Sequence, residues 1–103
     1  RIVPAQAVIG GAVMIAFDLH NGTADAQRVL VDYRVHFVKA NGRTAPKVFK
    51  LKTVELAAGQ RLSLSRKLSV ARMSTRQHYP GRHQVDLLLN GQVVPLGAFD
   101  LVQ

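Results

Sequence analysis

The feature that most constrains the fold of this chain is an alternation of apolar and polar residues with a period of two. Residues 28–39 show it over their whole length. One face of this segment carries Val29, Val31, Tyr33, Val35 and Phe37, and the other carries Leu30, Asp32, Arg34, His36 and Val38. A period of two is that of a β-strand, and no segment sustains the period of a helix. The chain is therefore predicted to be all-β.

Five other segments follow the same pattern. They are the second half of an apolar stretch at residues 2–17, then residues 47–56, 61–70, 82–89 and 93–101. The apolar positions of 47–56 change phase after Val48, and Arg66 and Lys67 interrupt the alternation of 61–70. Residues 72–79 are the only candidate for a helical turn, with Ser74 as a possible cap. The apolar stretch is too short and too interrupted for a membrane span.

Turn signals separate these segments. Asn-Gly dipeptides at 21–22, 41–42 and 90–91 readily adopt the positive φ angles of tight turns, and 90–91 is the clearest hairpin. Ala58-Gly59 and Pro80-Gly81 mark two further corners. About seven strands with regular turns predict an antiparallel sandwich or a small barrel.

The segment from Tyr79 to Val85 favours the sandwich, since it looks like the corner that leads into strand F of immunoglobulin-like folds. The alternative, an oligonucleotide-binding barrel, needs exposed aromatic residues for base stacking. Only six aromatics are present, and four of them have the phase of buried residues: Phe17, Tyr33, Phe37 and Phe99. We therefore predict an immunoglobulin-like antiparallel β-sandwich of about seven strands at residues 11–103, with residues 1–10 as a lead-in or linker.

Positive charge is concentrated in the middle of the chain. Between Lys39 and Arg82 there are eleven Lys and Arg residues and one acid, Glu55, whereas the flanks carry three basic and five acidic residues. Such a concentration attracts polyanions and makes their binding salt-dependent. Nucleic acid is the predicted partner. The absence of cysteine excludes disulfides and thiol chemistry and is in keeping with a cytoplasmic protein.

Two groups of cations are the candidate DNA contacts, one around the turn at 41–42 and the strand after it, the other around the corner at 80–81. They are Lys39, Arg43, Lys47, Lys50 and Lys52 in the first, and Arg72, Arg76, His78 and Arg82 in the second. Scattered cations of this kind bind phosphates rather than read bases. The alternative interpretation is a solvated strand face without a partner.

No other site is predicted. His78 and His83 have no carboxylate or cysteine near them in sequence, so neither a metal site nor a cofactor is expected. His83 has the phase of a buried, hydrogen-bonded residue, and His36 has that of a solvated one. Paired carboxylates, a nucleophile elbow and a phosphate-binding loop are all missing, which predicts that the fragment alone is not an enzyme. Asn21-Gly22-Thr23 fits a glycosylation acceptor but is better interpreted as a turn.

Three blocks of the sequence together carry a resemblance to one family. They are residues 31–42 (VDYRVHFVKANG), 46–52 (PKVFKLK) and 74–83 (STRQHYPGRH). The sequence over about residues 12–102 resembles the immunoglobulin-like C-terminal domain of bacterial AlkC-type DNA alkylation-repair proteins, in which the domain follows a helical domain of HEAT repeats.

The resemblance implies a monomeric DNA glycosylase that removes alkylated bases without a metal. It also implies that the catalytic acids lie in the HEAT-repeat domain, with the immunoglobulin-like domain as an accessory clamp on alkylated double-stranded DNA. No residue of this chain is assigned a role by the resemblance. The competing hypothesis is a protein–protein or interdomain adhesion module, for which Leu30, Val38 and Leu88 are a candidate apolar stripe. No membrane partner is expected.

Overall fold

Eight β-strands make up the fold in the computed structural model, which describes residues 1–71 and 77–103. Their bounds are β1 (Ile2–Val3), β2 (Gln6–Val8), β3 (Ala12–His20), β4 (Gln27–Val38), β5 (Thr44–Leu56), β6 (Arg61–Ser69), β7 (Gly81–Leu89) and β8 (Gln92–Val102). The candidate cations Arg72 and Arg76, and most of the predicted helical turn with Ser74, lie outside the described residues. Residues 77–79 have no regular secondary structure.

The strands form two sheets that pack as a sandwich. The smaller sheet has the order β1-β3-β6, and the larger has the order β2-β8-β7-β4-β5. All pairs are antiparallel except β2 with β8. The prediction of an immunoglobulin-like sandwich is therefore confirmed.

The first ten residues, which the sequence predicts as a lead-in or linker, belong to both sheets. Ile2 and Val3 pair with Ile15 and Met14 of β3, whereas Gln6–Val8 pair with residues 100–102 of β8. The other six strands correspond to the six alternating segments, so β1 and β2 bring the total to eight, against the predicted number of about seven. Alternation cannot be recognised in segments of two and three residues, so the sequence pattern gave no signal for them.

One core lies between the sheets and contains the inward-facing residues of both. Phe17, Tyr33, Phe37 and Phe99 are all buried, as their phase predicts. The ring of Phe49, on the edge strand β5, stacks on that of Tyr33 with centroids 5.0 Å apart. The aromatics are thus used mainly for packing between the sheets, which agrees with the choice of a sandwich over an oligonucleotide-binding barrel.

Two irregularities of the sequence pattern have different outcomes in the structure. The change of phase after Val48 corresponds to a bulge at Leu51, because Val31 pairs with Lys52 and Asp32 with Lys50. Val48 itself faces solvent, and Leu51 packs against the core. The predicted interruption at Arg66 is absent: β6 pairs with β3 without a shift, and Arg66 extends from this edge strand to donate a hydrogen bond to the carbonyl of Leu51, at 3.4 Å.

Candidate nucleic-acid interface

Three of the predicted cations, Lys39 and Arg43 of the first group and Arg82 of the second, lie at one end of the sandwich. Strand β4 is antiparallel to β5 and to β7, so the end of β4 lies beside the turn that leads to β5 and beside the start of β7. Gly81 permits close approach here: its φ is +140°, and a Cβ atom at this position would lie 3.0 Å from Val38 Cγ2. We call the β4–β5 turn (residues 39–43) and the start of β7 (Gly81–Arg82) the basic end.

The β4–β5 turn is fixed by hydrogen bonds of its backbone and leaves its cations exposed. The Lys39 N–H donates to the Arg43 carbonyl at 2.7 Å, and the Gly42 N–H donates to the Lys39 carbonyl at 2.9 Å. Asn41 Oδ1 accepts from the Arg43 N–H at 3.0 Å. Gly42 has a φ of +81°, which glycine adopts without strain. The turn therefore presents Lys39 and Arg43 to solvent from a rigid backbone.

The three lysines of β5 do not form one patch. Lys47 has the inward phase, opposite Val35, and its ammonium lies 5.8 Å from the centroid of the Phe49 ring. Lys50 lies on the outer face of the larger sheet, opposite Asp32. Lys52 follows the bulge at Leu51. These lysines line the edge of the sheet beyond the basic end, on both of its faces.

The second group is divided as well. Arg82 is exposed at the basic end, opposite Asp100 of β8. His78, in contrast, is only 7% exposed, and its ring lies 5.9 Å from that of Phe37. The sequence places His78 between cations but contains no sign that its ring packs against the core. The surface of the basic end thus contains Arg82 but not the imidazole of His78.

A charged cluster that was not predicted from the sequence lies on the outer face of the larger sheet. The guanidinium of Arg34 (Nη2) and the imidazole of His36 (Nε2) each lie 2.8 Å from Asp86 Oδ2. Burial opposes ionisation of Asp86, but the hydrogen bonds from His36 and Arg34 outweigh it and hold its pKa below the usual range. The prediction that His36 is simply solvated is therefore wrong, because its imidazole is paired with Asp86. The sequence did indicate that Asp86 faces outward, because it alternates with the inward-facing Val85 and Leu87.

His83 is a structural residue, as its phase predicts. It is fully buried, with Nδ1 3.1 Å from the Gly81 carbonyl and Nε2 3.5 Å from the Val38 N–H. These partners require a neutral ring that donates from Nδ1 and accepts at Nε2. Burial lowers the pKa of His83 below its ordinary value, against the opposing effects of the Gly81 carbonyl and Asp100. The ring stacks on that of Phe99, with centroids 5.0 Å apart.

The outer face of the larger sheet differs in charge from the basic end. By strand phase and register it carries four of the six acids of the chain: Asp32, Glu55, Asp86 and Asp100. Three of its apolar side chains, Leu30, Val48 and Val93, are about half exposed. Val38, a member of the predicted stripe, is buried and so does not belong to this surface. This face combines balanced charge with apolar side chains.

Two other classes of site have no candidate within residues 1–71 and 77–103. No group of three or more His, Cys, Asp or Glu side chains in that part of the chain is arranged to hold a metal ion. Within the same ranges, no helix has the length and apolar character to span a membrane.

The sheet order and the common core define an immunoglobulin-like domain with a basic end. The family whose profile matches residues 1–103 is described as "Uncharacterised protein YhaZ, C-terminal Ig-like domain". The chain belongs to this family. A curated relative, the uncharacterized protein YhaZ of Bacillus subtilis (strain 168), is 33% identical over 90 residues, which are 87% of this chain and 25% of the relative.

Among solved structures, the chain is similar to Pseudomonas fluorescens alkylpurine DNA glycosylase AlkC bound to DNA containing an abasic site analog. The identity is 37% and the TM-score 0.96, over 99% of this chain and 28% of that chain. A beta-glucosidase from Listeria innocua superposes with a TM-score of 0.80 at 15% identity, over 100% of this chain and 16% of that chain, which shows the fold alone. The chain thus spans about a quarter of the length of its relatives.

Proposed function

We propose that this chain is an accessory DNA-binding domain of a DNA alkylation-repair glycosylase, and that its basic end contacts the phosphate backbone of the duplex. The observation that carries the proposal is the meeting of Lys39, Arg43 and Arg82 at one end of a domain whose 37%-identical structural neighbour is a DNA glycosylase bound to DNA. Arg72 and Arg76 flank this end in sequence. The proposed protein acts in the cytoplasm as a monomer, with HEAT repeats before this domain.

Electrostatics supports phosphate binding at this end. The chain carries a formal charge of +8, and four of its six acids lie on the outer face of the larger sheet. Of these four, only Asp100, opposite Arg82, pairs with a residue of the basic end. A cationic surface on a fixed turn attracts a duplex without reading its sequence. The domain alone has no proposed catalytic group, so base removal belongs to the remainder of the longer protein.

The test compares two triple charge reversals that change the net charge equally. Lys39, Arg43 and Arg82 are replaced by Glu in the first variant; Arg1, Arg61 and Lys67, which are exposed elsewhere, are replaced in the control. For the unchanged domain, log K against log salt should have a slope of about −4 to −5, as expected for four to six phosphate contacts. The first variant should bind all duplex sequences more weakly, and the slope of log K against log salt should be shallower by about 3. The control should retain most of the affinity and most of the slope.

The same variants should be measured in the full-length protein, because tethering strengthens a weak contact through its effective concentration. Loss of affinity and of repair rate in the first variant alone is the expected result. Equal effects of the two variants on folded protein would contradict a specific role for the basic end. Release of alkylated bases by the purified 103-residue chain would contradict the assignment of catalysis to another domain.

A second candidate function is protein–protein or interdomain adhesion, and the outer face of the larger sheet favours it. Its balanced charge and its half-exposed Leu30, Val48 and Val93 are suited to a protein surface rather than to DNA. Replacing Leu30 and Val93 by Glu should leave DNA affinity unchanged and weaken a protein contact. If that variant loses repair activity while the basic-end variant retains it, adhesion is the function of the domain.

A further inference from the structure

Strand β1 covers only part of the edge of β3. β3 runs from Ala12 to His20, whereas β1 pairs with Ile15 and Met14 only. Arg1 continues this pairing in register. Its α-amino group donates to the Ala16 carbonyl at 2.7 Å, and the Ala16 N–H donates to the Arg1 carbonyl at 2.8 Å. Arg1 and Ala16 are therefore a hydrogen-bonded antiparallel pair.

The remaining edge of β3 presents backbone groups to which another strand could pair. Because backbone groups alternate in direction along a strand, the N–H and C=O groups of Asp18 and His20 point to the same side as those of Ala16. The N–H and C=O groups of Phe17 and Leu19 point to the other side of β3, where β6 pairs with it along its whole length. In the described parts of the chain no strand lies against β3 beyond Ala16 on this side.

An apolar cleft lies directly beside this edge, between the two sheets. It has a volume of about 550 Å³ and is lined by Arg1, Ala16, Phe17, Asp18, Leu87, Val94 and Leu96. Val94 has the inward phase, opposite Leu87, yet it is 41% exposed. An inward-facing valine that remains exposed indicates that the sandwich is open at this margin.

We propose that this edge and cleft bind an extended segment that pairs antiparallel to residues 17–20 and continues β1. In a longer protein, this segment consists of the four residues that directly precede Arg1. Main-chain hydrogen bonds to Asp18 and His20 provide the affinity, as in other cases of strand addition. The inference uses the proposed function only in that the domain is part of a longer chain.

The register fixes which side chains of the segment enter the cleft. Since Arg1 pairs with Ala16, the first and third residues before Arg1 lie opposite Phe17 and Leu19, which are buried. These two positions should therefore be apolar. The second and fourth residues lie opposite Asp18 and His20, which are exposed, and should be polar. A charged residue at both inward positions would contradict the proposal.

Hydrogen exchange resolved to single amides tests the pairing in the full-length protein without DNA, so the result is independent of DNA binding. The amides of Asp18 and His20 should exchange at least about 100-fold more slowly there than in the 103-residue chain. Those of Phe17 and Leu19, which face β6, should be protected in both and serve as internal controls.

A variant with proline at the second and fourth positions before Arg1 lacks the N–H groups that would donate to the Asp18 and His20 carbonyls. It should lose the extra protection of Asp18 and His20 and retain that of Phe17 and Leu19. Replacing Val94 by Asp should have the same effect, because it places a charge in the cleft. Equal exchange of Asp18 and His20 in the full-length protein and in the 103-residue chain would overturn the proposal. So would protection that persists in the proline variant, since another segment would then cover the edge.

Discussion

Asn21 joins three segments at the end of the sandwich opposite the basic end. Its side-chain amide is buried and donates to the carbonyls of Asp25, Leu56 and Ala57 at 2.8, 3.0 and 3.1 Å. Its Oδ1 accepts two hydrogen bonds from Thr23, one from the backbone N–H at 3.0 Å and one from the side-chain hydroxyl at 2.7 Å. The predicted turn at this dipeptide is therefore a loop that is held by one side chain, and its amide is not accessible for glycosylation.

Replacing Asn21 by Ala should lower the free energy of unfolding by about 2–3 kcal/mol, because the buried carbonyl of Leu56 and the partly buried carbonyls of Asp25 and Ala57 lose their donor. Asn41 is the matched control: it begins a similar Asn-Gly dipeptide, but it is exposed and accepts one backbone hydrogen bond. Asn41→Ala should cost less than about 1 kcal/mol. Urea unfolding curves of both variants measure the difference, and equal losses would contradict this account.

His83 should make stability depend on pH near neutrality. Its pKa is lowered in the folded state, so the unfolded chain takes up a proton at about pH 6.5 while the folded chain stays neutral. The unfolded state then binds more protons, so the unfolding free energy is at its full value above about pH 7 and falls as the pH decreases below about 6.5. His83→Gln should reduce this slope between pH 8 and 5. Identical slopes in the unchanged protein and the His83→Gln variant would contradict the assignment.

The β7–β8 hairpin shows how a turn can also extend a neighbouring strand. Asn90 and Gly91 have φ angles of +50° and +82°, as in the two-residue turns that suit the twist of a hairpin. Asn90 Oδ1 accepts from the Leu30 N–H at 2.8 Å, and the Asn90 N–H donates to the Leu30 carbonyl at 2.9 Å. The hairpin therefore ties β7 to β4 beyond the last residue pair of the two strands.

Two substitutions at Asn90 should separate backbone strain from hydrogen bonding. Asn90→Gly keeps the positive φ without strain and loses only the side-chain bonds, so we expect a loss of about 1 kcal/mol. Asn90→Ala adds the strain of a left-handed conformation, so we expect about 2 kcal/mol. Thermal or urea unfolding gives both values. A glycine variant as unstable as the alanine variant would contradict this explanation.

The long strands were predictable because alternation over nine or more residues has few other causes. β4 is the best example, since every residue from Val29 to Phe37 has the burial that its phase predicts, except for the pairing of His36. Arg66 was not predictable, because an inward position on an edge strand can hold a long cation whose charged end reaches solvent. β1 and β2 depend on tertiary pairing alone.

The edge strand β5 also shows how one set of residues can serve two purposes. Lys47, Lys50, Pro46 and the bulge at Leu51 are features that keep an exposed edge from pairing with another chain. The same lysines contribute to the excess of positive charge. Composition alone cannot separate edge protection from DNA contact. For this reason the lysines of β5 indicate the proposed DNA contact less clearly than the cations of the turn at residues 39–43.

At the scale of the whole molecule, the sequence predicts which part of the chain carries the positive charge, but not where that charge lies on the surface of the fold. The excess of cations between Lys39 and Arg82 is evident from composition. Its division into a basic end and a strand edge required the register of β4 with β5 and β7. The acids on the outer face of the larger sheet come from strands that are far apart in sequence, so their grouping could not be predicted.

The 103-residue chain should unfold as one cooperative unit, since both sheets share a single core and the first eight residues belong to both. Circular dichroism and tyrosine fluorescence should report the same urea midpoint. A chelator should not shift it, because no metal site is proposed. Separate transitions for the two probes would indicate that the smaller sheet melts independently.

The parallel pairing of β2 with β8 determines how the domain responds to mechanical load. β2, the second strand of the chain, and β8, the last, lie side by side at Gln6–Val8 and Asp100–Val102. Flanking bonds join the Ala5 carbonyl to the Asp100 N–H and the Ile9 N–H to the Val102 carbonyl, each 2.8 Å. Tension applied through the two ends pulls these parallel strands in opposite directions along their axes. The whole set of hydrogen bonds is then sheared at once instead of being opened one by one, so the domain should withstand force along its chain better than an antiparallel hairpin that is pulled apart from its open end.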